Sequence, residues 1–285
     1  MICPLCAHPA SAEIAASTEA RVVRCGACGL AYSDPPRRAE VIHVQYEHLY
    51  DLDVAVTRLA PRRLAIFSEF FERVPARGGA RLLDVGCGTG DFLVLARDRG
   101  WQPTGIDVSE RAASQARERG LEASTDWTAL QSERFDVVTL WNVVEILHHP
   151  LAMLADVHRV LAPGGHVFLR TPNERFQLAA YRWHRRLRWC GPAARALSDA
   201  YYFHPVLWSS ATLAAALDRG GFVDVRLWNS RPSSGDPYHV RSRGREAAVH
   251  AAKHLMHVCA RGADAATRGR MLLGSSLSAL GRKPG

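Results

Sequence analysis

The chain has 285 residues, 47% apolar and 22% charged, an ordinary composition for a globular protein with a sizeable core and room for one large and one small domain. No apolar run reaches the roughly 18–20 residues of a membrane span, and Met1–Ile2–Cys3–Pro4 lacks the basic and apolar stretches of a secretory leader, so a cytoplasmic location is expected. The formal charge of +8 is almost all arginine, with lysine only at Lys253 and Lys283; it favours an anionic partner without choosing among phosphate, nucleic acid and lipid headgroup.

Residues 1–40 hold Cys3, Cys6, Cys25 and Cys28 and end in the turn Ser33–Asp34–Pro35–Pro36. Two Cys-x₂-Cys knuckles at this separation suit one tetrahedral zinc ion, which predicts a small closed structural site. His8 is an alternative ligand that four thiolates make unnecessary. Cys87, Cys190 and Cys259 are expected to be unliganded. Residues 41–79 read as a helical linker or cap, with Phe67, Phe70 and Phe71 near its end and Gly78–Gly79 closing it.

From residue 80 the pattern alternates between strand and helix. Strands are expected near 81–85, 102–106, 121–124, 135–141, 165–170, 222–228 and 271–281, and helices near 91–99, 109–119, 151–161 and 210–220. Such alternation predicts an α/β fold, a Rossmann-like seven-stranded, mostly parallel sheet with helices on both faces. Gly164–Gly165 and Gly220–Gly221 are placed as helix stops. The first strand runs into Asp84 and then Gly86, Gly88 and Gly90. A strand, a glycine turn and a helix start is where open α/β sheets hold nucleotide-like ligands. The second strand ends at Asp107, a carboxylate suited to an adenosine ribose. Asp91 stands where a dinucleotide fingerprint needs its last glycine, and the Gly-Lys-Ser/Thr of a phosphate loop is missing.

Leu83–Asp84–Val85–Gly86–Cys87–Gly88–Thr89–Gly90 resembles the first motif of class I S-adenosylmethionine-dependent methyltransferases. Gly105–Ile106–Asp107–Val108–Ser109 resembles their second. Phe135–Asp136–Val137–Val138 through Trp141–Asn142–Val143–Val144–Glu145 is similar to their fourth strand and turn, and Leu161–Ala162–Pro163–Gly164–Gly165 to the loop before the fifth. The resemblance spans residues 80–285 and implies S-adenosylmethionine as cofactor. It implies that Asp84 faces the cationic methionine end and that Gly86, Cys87, Gly88 and Gly90 form the loop beneath it. Asp107 and Val108 would hold the ribose, Asp126 and Trp127 would edge the adenine, and Trp141–Asn142 would sit near the methionine amino group. Methyl transfer needs in-line positioning and, for a hydroxyl or carbon acid, a base. His148 and His149, with Glu145 beside them, are the first candidates; Tyr202 and His204 are second choices. An ordinary turn leading into Pro150 explains the two histidines equally well.

Cys25 through Pro36 resembles the zinc ribbon that heads a group of bacterial methyltransferases. That resemblance implies a small-molecule, sugar or glycan acceptor and gives Tyr46 and Tyr50 the place of an aromatic segment; plain helix packing is the other reading of these tyrosines. Residues 173–208 form an insertion rich in arginine and aromatic residues, placed as a substrate lid. Phe176, Ala180, Trp183 and Leu187 share one helical face, with Arg182, Arg185, Arg186 and Arg188 largely off it. The segment reads as a cleft cover, a grip for an anionic acceptor, or an interfacial helix giving peripheral membrane contact and access to a lipid-linked acceptor.

Two other functions stay open. A ribosomal RNA guanine methyltransferase family also begins with a Cys-Pro-Leu-Cys zinc ribbon. This chain departs from it in its second knuckle and lacks an Asn-Pro-Pro-Tyr segment, which makes RNA the less favoured partner. The other is a non-catalytic cofactor-binding module, disfavoured by the intact glycines and acids.

Overall fold

The computed structural model describes residues 2–17, 21–35, 53–74, 79–191, 200–232, 243–268 and 271–285. Tyr46 and Tyr50 lie outside them. Near-continuous apolar runs form the central strands of the main sheet, as burial on both faces demands, while its edge strands are more polar. These are β4 (Arg81–Val85), β5 (Gln102–Ile106), β6 (Glu122–Ser124), β7 (Phe135–Trp141), β8 (Leu161–Pro172), β10 (Val223–Asn229) and β11 (Ser276–Arg282). The order is β10-β11-β8-β7-β4-β5-β6. Neighbours from β8 to β6 pair in parallel, while β11 inserts antiparallel between β8 and β10. The crossovers are α2 (Asp91–Arg97), α3 (Glu110–Glu118), α4 (Pro150–Val160), α5 (Glu174–Arg186) and α6 (Ser210–Arg219). Helix α1 (Asp53–Arg73) precedes the sheet and α7 (Arg243–Ala266) lies before its last strand. The seven-stranded, Rossmann-like sheet is therefore as the sequence predicts.

One pair of glycines behaves differently. Helix α4 ends at Val160 and Leu161 is already extended, so Gly164–Gly165 does not stop a helix. Both lie inside β8, where the pairing with β7 shifts register between Phe135 and Val137. Gly164 has φ +74°, and a Cβ on Gly165 would sit 2.8 Å from the Ala162 carbonyl and 3.0 Å from that of Asp136. An irregular strand, and not a helix terminus, requires them.

The N-terminal region folds as a second sheet of β1 (Ser11–Ala16), β2 (Arg21–Cys25) and β3 (Ala31–Ser33), completed by β9 (Val206–Leu207). All its pairings are antiparallel. Side chains alternate across it with period two. Val23, Tyr32 and Val206 join the core of the main sheet, whereas Val22, Ala31 and Leu207 pack with Leu178, Tyr181 and Phe203. The small sheet is thus held between the main sheet and helix α5.

The buried face of α5 differs from the apolar stripe in the sequence. Glu174, Gln177, Leu178 and Tyr181 are buried with Ala180, while Trp183 is 52% exposed and Leu187 is exposed. Polar side chains occupy the inward face because most find partners there. Tyr181 Oη donates to the Ala16 carbonyl at 2.9 Å and accepts from its N–H at 3.0 Å, and the buried Glu174 pairs with Arg24 of β2. Counting apolarity alone cannot locate a face anchored this way.

Candidate functional site

At the carboxyl edge of the main sheet, the loop after β4 is fixed by glycines. Gly86, Gly88 and Gly90 all have positive φ. A Cβ on Gly86 would fall 2.7 Å from Val143 and one on Gly90 2.3 Å from Leu121. These two glycines therefore serve close packing as well as backbone freedom. Arg119 Nη1 donates to the Thr89 carbonyl and to Asp91, at 2.6 and 2.7 Å, and pins the loop from α3. The Cys87 thiol is buried against Gly105, and burial raises its pKa.

Two acids sit beneath and beside the loop. Asp84 is fully buried and accepts from Thr139 Oγ1 at 2.6 Å. Burial pushes its pKa up to about 8, against the lowering effect of Thr139, and the nearby Asp107 charge adds to the rise. Asp107 accepts from the Gly88 N–H at 2.8 Å and the Ser109 N–H at 2.9 Å, one on each oxygen. The carboxylate thus ties the end of β5 to the glycine loop. Val108 beside it is 78% exposed. Asp126 forms an Asx turn on Thr128, and the Thr128 hydroxyl and N–H hold its pKa down. Trp127 is half-buried, and its indole nitrogen has no hydrogen-bond partner among the described residues.

After β7 the chain bends at Asn142, which is left-handed at φ +60° without being glycine. A polar network stabilises this bend. Arg170 Nη1 donates to Asn142 Oδ1 at 2.6 Å, Asn142 Nδ2 donates to Glu145 Oε1 at 2.9 Å, and Thr171 Oγ1 donates to Glu145 Oε2 at 3.0 Å. Arg170 also donates to Ser230 and Ser276 at 3.0 Å, and Ser230 donates to the buried Glu69 of α1 at 3.1 Å. Burial raises Glu145 to about 7, opposed by Asn142, Thr171 and the Arg170 charge. Trp141 packs against Phe67, Phe92 and Phe168, with ring centroids about 5 Å apart, and its indole nitrogen is buried and unpartnered among the described residues.

The sequence did not point to Arg170, Thr139, Thr171 or Glu69. A charge inside the apolar run Val167–Phe168–Leu169–Arg170 and an acid between Phe67 and Phe70 are the signals that mark two of them.

Glu145 and the two histidines, adjacent in sequence, occupy different environments. Glu145 is buried, His148 is half-buried, and the exposed His149 precedes α4 as its N-cap. His148 and His149 line a cleft of about 880 Å³, with Leu5, Tyr32 and Val206 contributed by the first cysteine knuckle and the small sheet, and Leu147 and Leu151 by the segment leading into α4. Tyr202 and His204 pack on each other, centroids 4.8 Å apart, and are not among the residues lining the cleft.

Cys3, Cys6, Cys25 and Cys28 converge, with all four Sγ atoms within 4.8 Å of one another and the pairs Cys3–Cys28 and Cys6–Cys25 at 3.5 Å. Four thiolates about 2.3 Å from a tetrahedral zinc would lie about 3.8 Å apart, so the cluster fits that ion. Among the described residues, no helix is long and apolar enough to cross a membrane.

A family model described as a methyltransferase domain matches residues 53–227. A ubiquinone biosynthesis O-methyltransferase of Vibrio cholerae is 35% identical over 105 residues, covering 33% of this chain and 43% of that protein. Its counterpart in Pseudomonas aeruginosa is also 35% identical over 105 residues, covering 33% and 45%. The matches thus span less than half the length of these relatives. In fold, the chain is similar to a structure solved as a complex of the Haloferax volcanii Trm112 methyltransferase activator with a methyltransferase, at TM-score 0.56 and 18% identity, covering 84% of this chain and 98% of that one. It is also similar to an S-adenosylmethionine-dependent methyltransferase of Thermotoga maritima, at TM-score 0.52 and 16% identity, covering 86% and 97%. The seven-stranded sheet, the glycine loop between its two acids and the family match over most of that sheet lead to one conclusion: the chain belongs to the class I S-adenosylmethionine-dependent methyltransferases.

Proposed function

We propose that this protein methylates a hydroxyl of a small, largely apolar acceptor held in the cleft between the small sheet and the start of α4. The cleft itself carries the reading. At about 880 Å³ it has the size of a small-molecule site, and it opens beside His148 in the loop that follows β7. The O-methyltransferase relatives support a small hydroxyl-bearing acceptor.

The residues at the sheet edge fit S-adenosylmethionine, which supplies a methyl group already activated on a sulfonium. Asp107 is placed at the end of β5 to accept from the ribose diol, as a carboxylate can. The indole nitrogens of Trp127 and Trp141, buried without a partner among the described residues, are spare donors. Asp84 supplies negative charge for a cation once ionised. Asp126, Val108 and Cys87 complete the proposed contact set, and Asn142 carries the backbone near the amino group.

His148 takes the hydroxyl proton, leaving the acceptor oxygen nucleophilic, with His149 as the alternative base. Glu145 is a positioning residue: both its oxygens accept hydrogen bonds, and it holds Asn142 in the left-handed bend. Zinc in the Cys3, Cys6, Cys25 and Cys28 cluster would be structural, because four thiolates leave no open coordination position.

Titration calorimetry with S-adenosylmethionine and transfer of labelled methyl groups to a panel of phenols and hydroxylated lipids form the test. The expected result is cofactor binding that Asp107→Ala weakens about tenfold or more, with transfer lost in His148→Ala at unchanged cofactor affinity. Equal cofactor affinity in Asp107→Ala, or full transfer in the His148→Ala/His149→Ala double variant, would overturn the assignments.

A further inference from the structure

The outward face of α5 has no role in the reading above. Its inward face clamps the small sheet through Leu178 and Tyr181. Its outward face presents Trp183, 52% exposed, and Leu187, and the chain continues directly to Trp189, 85% exposed. Arg182, Arg185, Arg186 and Arg188 are all exposed on the same stretch, with Arg185 5.9 Å from the Tyr181 ring. The Arg186 guanidinium lies 5.5 Å from the Trp183 ring and that of Arg188 lies 4.8 Å from Trp189. The helix contains one acid, Glu174, which is buried and paired with Arg24, and no carboxylate occurs from Arg175 to Cys190.

We propose that this face docks on an anionic lipid surface. Exposed tryptophans in water are costly unless something covers them, and two of them with a leucine form a wedge that can enter the acyl boundary. Arginines around the wedge meet lipid phosphates at the depth where indole rings settle. Charge complementarity selects the partner: four exposed arginines on a stretch with no carboxylate from Arg175 to Cys190 suit a negative bilayer. RNA would also meet the arginines, but it gives Leu187 nothing apolar to bury against. The buried face of α5 anchors the helix that carries Trp183 to the small sheet, so that part of the surface need not fold on binding.

Co-sedimentation of the full chain with vesicles of phosphatidylglycerol or of phosphatidylcholine tests this. The protein should pellet with phosphatidylglycerol and release as salt rises, because each arginine at an anionic surface contributes about fivefold in affinity. Trp183→Ser/Trp189→Ser should reduce pelleting about tenfold or more, and Arg182→Glu/Arg186→Glu at least as much. Brominated phosphatidylglycerol should quench tryptophan emission in the unaltered protein but much less in Trp183→Ser/Trp189→Ser. Equal pelleting of all variants, or the lack of quenching, would overturn the proposal. So would salt-sensitive capture of a structured RNA without any vesicle binding.

Discussion

The two sheets are built on opposite principles. The main sheet buries its central strands on both faces through apolar runs such as Leu82–Leu83 and Val137–Val138, all under 5% exposed. The small sheet has strands of two to six residues, too little area for independent stability. It persists because four cysteines converge at one end, α5 covers one face and β9 arrives from the distant segment at 206–207. A core of the first kind tolerates loss of one contact; an assembly of the second kind depends on each of its few anchors.

The largest effect separating the two should come from the proposed zinc site at the four cysteines. Structural zinc contributes about 10 kcal/mol or more in small zinc modules. Cys25→Ser should abolish stoichiometric zinc in elemental analysis and raise hydrogen exchange throughout β1–β3 and β9, with β4–β8 still protected. Equal loss of protection in both sheets would show that the main sheet also depends on the ribbon.

Within the main sheet, Gly90→Ala should be the costly change. It forces a side chain into φ +82° and within 2.3 Å of Leu121, which together amount to about 2–4 kcal/mol. Denaturant unfolding measures this, and an unchanged midpoint would mean that the loop relaxes freely.

A pH test also isolates the main sheet. Asp84 has its folded pKa raised from 3.8 to about 8. Its contribution to stability is therefore fully present below about pH 4 and is lost as pH rises towards 8, at about 1.4 kcal/mol per unit. Asp84→Asn should flatten this decline in denaturant titrations between pH 5 and 8. Binding of cationic S-adenosylmethionine should favour ionised Asp84, so a proton should be released near pH 7; calorimetry in buffers of different ionisation enthalpy reads this directly.

The smallest effect belongs to the seam. Tyr181→Phe removes both hydrogen bonds to Ala16 but keeps the ring, and should cost about 1–3 kcal/mol. Exchange at Ala16 should quicken while the main sheet is unaffected. No change there would mean that ring packing alone joins α5 to the small sheet.

Much of the main sheet was legible because its signals are local. Asp84 at the end of β4, the glycines after it and Asp107 at the end of β5 lie where the sequence predicts strand ends, and Asp107 does bridge to Gly88. The cysteine cluster was legible for the same reason, since each knuckle closes over a few residues. The network of Glu69, Ser230, Arg170, Asn142 and Glu145 was not. Its members are drawn from four distant stretches of chain, and no spacing rule connects them. Gly164–Gly165 misled because a glycine pair after a helix reads as a stop, whereas register shift inside β8 is a property of the partner strand.

What the sequence by itself determined is the class of fold, the glycine turn after β4 and the convergence of the four sulfurs, since apolar period, glycine placement and knuckle spacing act over short range. Tertiary structure alone decided that β9 completes the small sheet and which face of α5 is buried. It also decided that Glu145 is sequestered while His148 lines a cleft. Those outcomes depend on which distant partner satisfies a buried polar group, and only the folded chain brings such partners together.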